Sequence, residues 1–290
     1  MQNNAIEIRG LEKTFPGFKL GPIDLTLPIG VIYGYIGPNG AGKTTTLDLL
    51  FGMGLKDSGT IKILGLDPLR DEVAVKEQVG YVSPELNFQV WSKVGKAIQF
   101  VKGFYPSWDS GYCDRLLPEF GLRWDQKIAT LSFGSRIKLS LLLALSWHPK
   151  LLVLDEPTVG LDAITKQQVF RELLEVVKEG QRTVLISSHG LTDLERFTDH
   201  IGMIKNGRML LEGTTSDIIE RFQMVDLVGD QEIILPTHPG LYPQEHTRNR
   251  WRILVDKTQT PLNWIEACGA RQVGAAPVTL EELFIALGKD

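Results

Sequence analysis

The sequence predicts an α/β fold with a mostly parallel central sheet, an antiparallel β subdomain, a helical insert and a small α+β appendage at the C-terminal end. Three observations carry that reading. Val31–Ile36, Leu151–Leu154 and Thr183–Ile186 are nearly unbroken apolar runs, as expected of strands covered on both faces in a parallel sheet. Ala5–Arg9 and Ile23–Leu27 instead alternate apolar with polar residues, the period of half-buried antiparallel strands. Between Leu86 and Ile128 the texture changes again, to aromatic-rich helical segments broken at Tyr105-Pro106 and Gly121.

Taken in order, the two alternating strands precede Val31–Ile36, and Lys13–Gly17 between them reads as a turn that carries Phe15. Thr44–Phe51 is the next helix, Gly59–Leu64 a strand, Asp71–Gln78 a short polar helix, and Val79–Val82 a strand running into Ser83-Pro84-Glu85. The insert holds helices over Trp91–Phe104 and Ser107–Phe120, and Ser132 is placed to N-cap an apolar helix that stops at His148-Pro149. After Leu151–Leu154 come a loop, Pro157–Asp162, and a helix over Ala163–Glu179 with Val169, Leu173, Val176 and Val177 on one face. Asn206-Gly207 marks a tight hairpin between His200–Lys205 and Arg208–Glu212, and Thr214–Phe222 closes the domain. Residues 1–223 thus make one domain, with a helical subdomain at 86–130, and 224–290 a small accessory domain. In the latter His238–Pro243 reads as loop, Trp251–Val255 as strand, and Leu280–Leu287 as a helix docked by Leu280, Leu283, Phe284 and Leu287.

Lys and Arg number 31 against 35 Asp and Glu, a formal charge of −4. That balance does not build a nucleic-acid-coating surface, and no nucleic acid partner is expected, although the sum does not by itself exclude one. Cys113 and Cys268 lack metal-ligand or CxxC spacing and read as reduced, packed thiols of a cytosolic protein. No N-terminal signal is read, and the most apolar stretch, Leu139–Trp147, is far too short to cross a bilayer. If the protein serves a membrane, a partner supplies the spanning helices.

Gly37–Thr45, GPNGAGKTT, follows the Val31–Ile36 strand and opens a helix. Gly37, Gly40 and Gly42 let the backbone turn tightly enough for successive N–H groups to converge, and Pro38, Asn39 and Ala41 complete the loop. The helix behind adds its positive end, so the whole is a cradle for a polyphosphate. Lys43 is placed to reach β- and γ-phosphates, Thr44 offers a hard hydroxyl donor to Mg²⁺, and Thr45 is the next phosphate contact. An ordinary glycine-rich turn is the alternative, and the strand–loop–helix context argues against it.

Asp155 and Glu156 stand at the C-terminal end of the Leu151–Leu154 run, the edge at which open α/β sheets bind ligands, and Ser187-Ser188-His189 ends the next strand. The order of P-loop, helical insert, Ser132-x-Gly134 helix start, Asp155-Glu156, Asp162 loop and His189 resembles the nucleotide-binding subunit of an ATP-binding cassette (ABC) transporter over residues 5–222. The tail, especially Val278–Phe284, resembles the C-terminal extension of cassette subunits in ABC-2 type exporters.

The resemblance implies a P-loop NTPase cassette fold and an ATPase that uses ATP and Mg²⁺. It makes Asp155 the aspartate that holds Mg²⁺ through water and Glu156 the carboxylate that polarises the attacking water, help typically worth about 10²–10⁴ in rate. His189 matches the switch histidine at the γ-phosphate. Phe15, which alone reads equally as a loop anchor or a stacking ring, matches the aromatic that stacks on adenine. Asp162 matches the loop that faces a second subunit. Two cassettes, as a homodimer or a heterodimer with a similar chain, are implied to close head to tail, each ATP lying between one P-loop and the other chain's Ser132 and Gly134. The implied partner is an integral membrane permease, reached through Leu86–Lys102, the implied place the cytoplasmic face of the membrane, and the implied task export. A soluble cassette in DNA repair or translation is the alternative. A P-loop kinase or small-molecule-binding regulator is a second, and it leaves Ser132-Phe133-Gly134, Asp162 and His189 unexplained.

Two departures from the family pattern stand out. Glu85 occupies the position of a Gln; an uncompensated carboxylate about 4 Å from a phosphate charge costs ~4 kcal/mol at an effective dielectric near 20, so either Mg²⁺ sits between them or Glu85 points away, and the expectation is a Mg²⁺ ligand or sensor. Phe133 stands where the pattern prefers Gly and Ser135 where it prefers Gln. Phe133 is expected to put a ring at the dimer seam, packing against the facing subunit or slowing closure.

Overall fold

The computed structural model describes residues 4–84, 90–178, 182–231, 233–260 and 264–288. A long antiparallel hairpin, β1 (Asn4–Phe15) and β2 (Phe18–Pro28), leads into β3 (Ile32–Ile36), α1 (Lys43–Leu50), β4 (Ser58–Ile63), α2 (Glu72–Lys76) and β5 (Val79–Val82). The insert holds α3 (Val94–Lys102) and α4 (Ser110–Glu119) and hands over to α5 (Phe133–Leu145). The chain then alternates through β6 (Leu151–Asp155), α6 (Ala163–Val177), β7 (Thr183–Ser188) and α7 (Leu191–Leu194) before β8 (His200–Lys205), β9 (Arg208–Thr214) and α8 (Thr215–Arg221). The appendage is β10 (Phe222–Val228), β11 (Leu241–Thr247), β12 (Arg250–Asp256), α9 (Trp264–Ala267), β13 (Arg271–Ala276) and α10 (Leu280–Leu287).

The central sheet has the order β5-β6-β7-β3-β8-β9, parallel except for the β8–β9 hairpin. Its strands are apolar throughout because successive side chains serve two cores. Ile32, Ile36, Leu152, Leu154, Val184 and Ile186 pack with α5 and α6, whereas Tyr33, Tyr35, Leu151, Val153 and Leu185 pack with α1 and the β2-β1-β4 sheet. The β8–β9 turn has Asn206 and Gly207 at φ +49° and +74°, the pair of positive φ values a two-residue hairpin of this twist requires.

The insert is fastened by polar groups. Glu172 of α6, 3 % exposed, accepts Arg115 Nη2 at 3.0 Å, Arg115 Nη1 at 3.3 Å and the Tyr112 hydroxyl at 3.3 Å from α4. His148, just past α5, bridges Asp109 at 3.1 Å and Arg182 at 3.0 Å. Cys113 and Cys268 are buried, unpaired thiols.

Several expected bounds shift. β1 runs through Phe15, pairing it with Phe18, so the turn expected over Lys13–Gly17 shrinks to Pro16-Gly17. β10 begins at Phe222, directly on the end of α8, with no linker between main domain and appendage. The loop expected over His238–Pro243 gives way at Leu241 to β11, an edge strand of the β11-β12-β10-β13 sheet, where Pro243 is tolerated because one side of the strand needs no ladder partner. α10 docks as its stripe requires. Leu280, Leu283 and Ala286 are buried in the main core, and the Leu280 N–H donates to Glu195 at 3.0 Å just beyond α7.

Candidate active site

β3 is buried along its whole length, and the chain leaves it at Gly37 against β8, where a Cβ would lie 2.3 Å from the Ile204 carbonyl oxygen. At the other end of the turn Gly42, φ +107°, enters α1 where a side chain would strike Leu20 at 2.7 Å. Between them the Ala41 N–H donates to Pro38 O at 3.2 Å, and the Gly37 N–H donates to Ser188 O at the end of β7 at 3.2 Å. Pro38, Asn39 and Gly40 form an exposed crest. The loop therefore stands open at the C-terminal edge of the sheet with a helix N-terminus behind it, which is the geometry of an anion cradle. Thr44 is exposed and Thr45 half-buried on the first turn of α1, while buried Thr46 donates to Gly42 O at 2.8 Å and meets the Tyr35 hydroxyl at 3.1 Å, pinning α1 to β3.

The expected charged residues converge at this loop. Lys43, 6 % exposed, donates to Gly37 O at 2.7 Å and Pro38 O at 3.2 Å, and its Nζ is 3.0 Å from Glu156 Oε1. That last contact is an ion pair by distance but lies outside hydrogen-bonding geometry, so Glu156 Oε1 is buried without a donor. The other carboxylate oxygen meets His189 Nδ1 at 2.9 Å. Glu156 has φ +46°, a left-handed conformation that a non-glycine residue adopts only when its surroundings enforce it. One residue earlier, buried Asp155 accepts the Thr44 hydroxyl at 2.9 Å and the Ser187 hydroxyl at 2.5 Å.

Ser187 is the member of this site that sequence reasoning passed over. Its Oγ donates to Asp155 and accepts the Glu156 N–H at 3.0 Å, so one hydroxyl holds the Asp155 carboxylate and the backbone of Glu156. The available signal was register. Asp155 of β6 lies directly beside Ser187 of β7, and both are polar residues ending apolar strands.

Thr44 Oγ1 and Asp155 Oδ2 are adjacent hard donors, and Glu156 Oε1 is a buried oxygen lacking a donor. This set fits a hard cation completed by phosphate oxygens and water. Among the described residues no group of three or more His, Cys, Asp or Glu is placed to hold an ion unaided. Glu85, expected as a further Mg²⁺ ligand, lies outside the described residues.

Phe15 is 41 % exposed, so it does not anchor its loop in the core; its ring lies 6.4 Å from that of Phe18, whose Cζ would be 3.2 Å from a Cβ on Gly42. Ser132 N-caps α5, accepting the Ser135 N–H at 3.2 Å. Among the described residues neither it nor Gly134 bonds to Lys43, Thr44, Asp155, Glu156 or His189; a Cβ on Gly134 would meet Leu161, and one on Gly160 would meet Phe133. Asp162 N-caps α6, accepting the Thr165 N–H and hydroxyl at 2.9 Å each, and these bonds hold its carboxyl below the usual carboxylate range.

Comparison with known proteins agrees with this geometry. The ABC transporter family model matches residues 20–159. The chain is 29 % identical over 284 residues to the ABC transporter ATP-binding protein YtrB of Bacillus subtilis, covering 97 % of each. It is 34 % identical over 232 residues to the Nod factor export ATP-binding protein I of Burkholderia orbicola, covering 74 % of this chain and 72 % of that one. A solved ATP binding subunit of an ABC transporter superposes with a TM-score of 0.65 at 26 % identity, over 74 % of this chain and 92 % of the other. The chain therefore belongs to the ABC transporter family, as an ATP-binding subunit that hydrolyses ATP.

Proposed function

We propose that this chain is the motor of an exporter, closing head to tail with a second cassette on the cytoplasmic face of a membrane and driving a separate permease. One observation carries the two-subunit reading. Lys43, Thr44, Asp155, Glu156 and His189 form one cluster, while at the helix start expected to complete a nucleotide site Ser132 bonds to Ser135 and Gly134 lies against Leu161. Half a site on each of two surfaces is what a symmetric head-to-tail pair requires.

Within that pair the P-loop amides and Lys43 bind the phosphates, and Phe15 offers a ring for the base. Thr44 and Asp155 would hold Mg²⁺, which supplies charge neutralisation on the phosphates when bound. Glu156, set by its backbone turn and by Ser187, polarises the attacking water, and His189 holds Glu156 and reports the γ-phosphate. Product loss then removes the contacts that kept the two surfaces together.

Support for a permease comes from the surface of the insert. Trp91, Phe100 and Phe104 form a row of tilted and edge-to-face rings with centroids 4.9 and 5.0 Å apart, and Phe100 and Phe104 are 50 % and 66 % exposed. Exposed aromatic groups of this extent mark a contact with another protein. Among the described residues no helix is long and apolar enough to cross a membrane. Export rests on the Nod factor relative and on the likeness of the tail to those of exporter subunits.

The test is to isolate Glu156→Gln with ATP from detergent-solubilised membranes of its source cell. Recovery of a polytopic membrane protein in near-equal amount is the expected result. Recovery of only soluble protein, nucleic acid or ribosomal material would overturn the transport assignment.

A further inference from the structure

Phe133 is the first residue of α5 and is 43 % exposed, yet its ring has a seat. Gly160, in the loop between β6 and α6, has φ +69°, and a Cβ there would meet Phe133 Cδ1 at 3.0 Å and Cε1 at 3.3 Å. One residue further along each segment the roles reverse, since a Cβ on Gly134 would meet Leu161 Cδ2 at 2.9 Å. The helix start and the loop therefore mesh, two side chains over two glycines. Close-packed surfaces of this kind shift together, because neither segment can slide without collision.

The two segments lead to different chemistry. The loop follows directly on Glu156, to whose carbonyl the Val159 N–H donates at 3.3 Å, and it ends in Asp162. The helix start carries Ser132 and Gly134. In a head-to-tail pair the first belongs to one ATP site and the second to the other.

We propose that Phe133 is a positioning residue that links the Glu156 loop of one ATP site to the Ser132 face its own chain presents to the other site, and so couples the two sites. This rests on the two-subunit reading above. Glycine at 133 would leave only the Leu161–Gly134 half of the mesh, whereas leucine would still fill the seat.

The experiment compares full-chain Phe133→Gly and Phe133→Leu with the unmodified chain. It measures ATPase rate against ATP concentration, affinity for a fluorescent ADP analogue, and amide hydrogen exchange over 157–162. Phe133→Gly should lower the Hill coefficient from ~2 toward ~1, the value of two uncoupled sites, and lower kcat with it. Exchange over 157–162 should rise while ADP affinity holds, and Phe133→Leu should restore most of the cooperativity. A merely structural residue would instead weaken ADP binding in step with kcat, and that pattern overturns the proposal. If Glu156→Gln dimerises with ATP and Phe133→Gly stays as cooperative as the unmodified chain, the coupling role of Phe133 alone fails. If the unmodified chain is non-cooperative and Glu156→Gln stays monomeric, the two-subunit reading fails and the coupling role with it.

Discussion

The Lys43–Glu156 contact makes a quantitative statement about nucleotide affinity. Lys43 Nζ is 3.0 Å from Glu156 Oε1, with the side chains only 6 % and 15 % exposed. At an effective dielectric near 20 two unit charges at that separation attract by about 5.5 kcal/mol. Most of this is offset when Lys43 exchanges the carboxylate for a phosphate. The remainder opposes binding, since the pair must be broken first. In Glu156→Gln a neutral amide replaces the charge beside Lys43, and the part of the attraction left after that offset, about 1–2 kcal/mol, no longer opposes binding. Nucleotide should therefore bind Glu156→Gln ~5–30-fold more tightly. Titration calorimetry with the metal chelated, so that neither form hydrolyses, measures this directly. ADP separates two causes. If release of Lys43 is responsible, ADP gains as much as ATP, because Lys43 also serves the β-phosphate. If Glu156 simply repels the γ-phosphate, ATP gains and ADP does not. Equal affinities in both proteins, or a gain confined to ATP, would refute the competition.

Two further substitutions probe the groups that hold the site and the appendage. Ser187→Ala removes a hydroxyl from buried Asp155 and from the Glu156 N–H; it should cost about 1–3 kcal/mol in denaturant unfolding and lower kcat, with Ser187→Thr recovering most of both. Arg221→Ala strips Asp256, 0 % exposed, of its guanidinium, whose Nε donates at 3.0 and 3.1 Å and Nη2 at 2.6 Å. The cost should be about 2–3 kcal/mol at neutral pH, below the figure for a fully buried pair because Arg221 is 33 % exposed and Thr258 still donates. Burial pushes the Asp256 carboxyl up, but Arg221 and Thr258 outweigh it and hold it below the usual carboxylate range. The pair's contribution is thus fully present above the unfolded-state pKa of about 3.9 and is lost as pH falls through the lower folded value. Unfolding midpoints of the two proteins should converge below about pH 4; a gap unchanged by acid would show that the carboxylate charge is not what Arg221 stabilises.

How much of this was legible depends on whether a feature is local in sequence or created by register. β3, β6 and β7 could be read because burial on both faces leaves no polar alternation, and the Asn206-Gly207 turn because its positive φ values restrict the residues that fit. Lys43, Thr44, Asp155, Glu156 and His189 could be placed for the same reason: each stands at a strand or helix end whose position the hydrophobic pattern already sets. β11 could not, since Pro243 argues against a strand until the edge position of that strand is known. β13, with Gly274, Ala275 and Ala276, carries too little side chain to show a period at all. The contacts of Ser187 and of Phe133, which stood out only as a departure expected at the dimer seam, fail to show for a different reason. Each is an ordinary residue whose role comes from what the fold puts beside it. Parallel pairing of β6 with β7 brings the Ser187 hydroxyl to Asp155, and the approach of the β6–α6 loop brings Gly160 under the Phe133 ring. Motifs therefore mark the groups that face nucleotide, while the residues that set their positions emerge only from three-dimensional adjacency. It follows that substitutions at Ser187 and Phe133, unlike those at Lys43, should be rescued by any side chain that restores the same contact, a hydroxyl in one case and an apolar filler in the other.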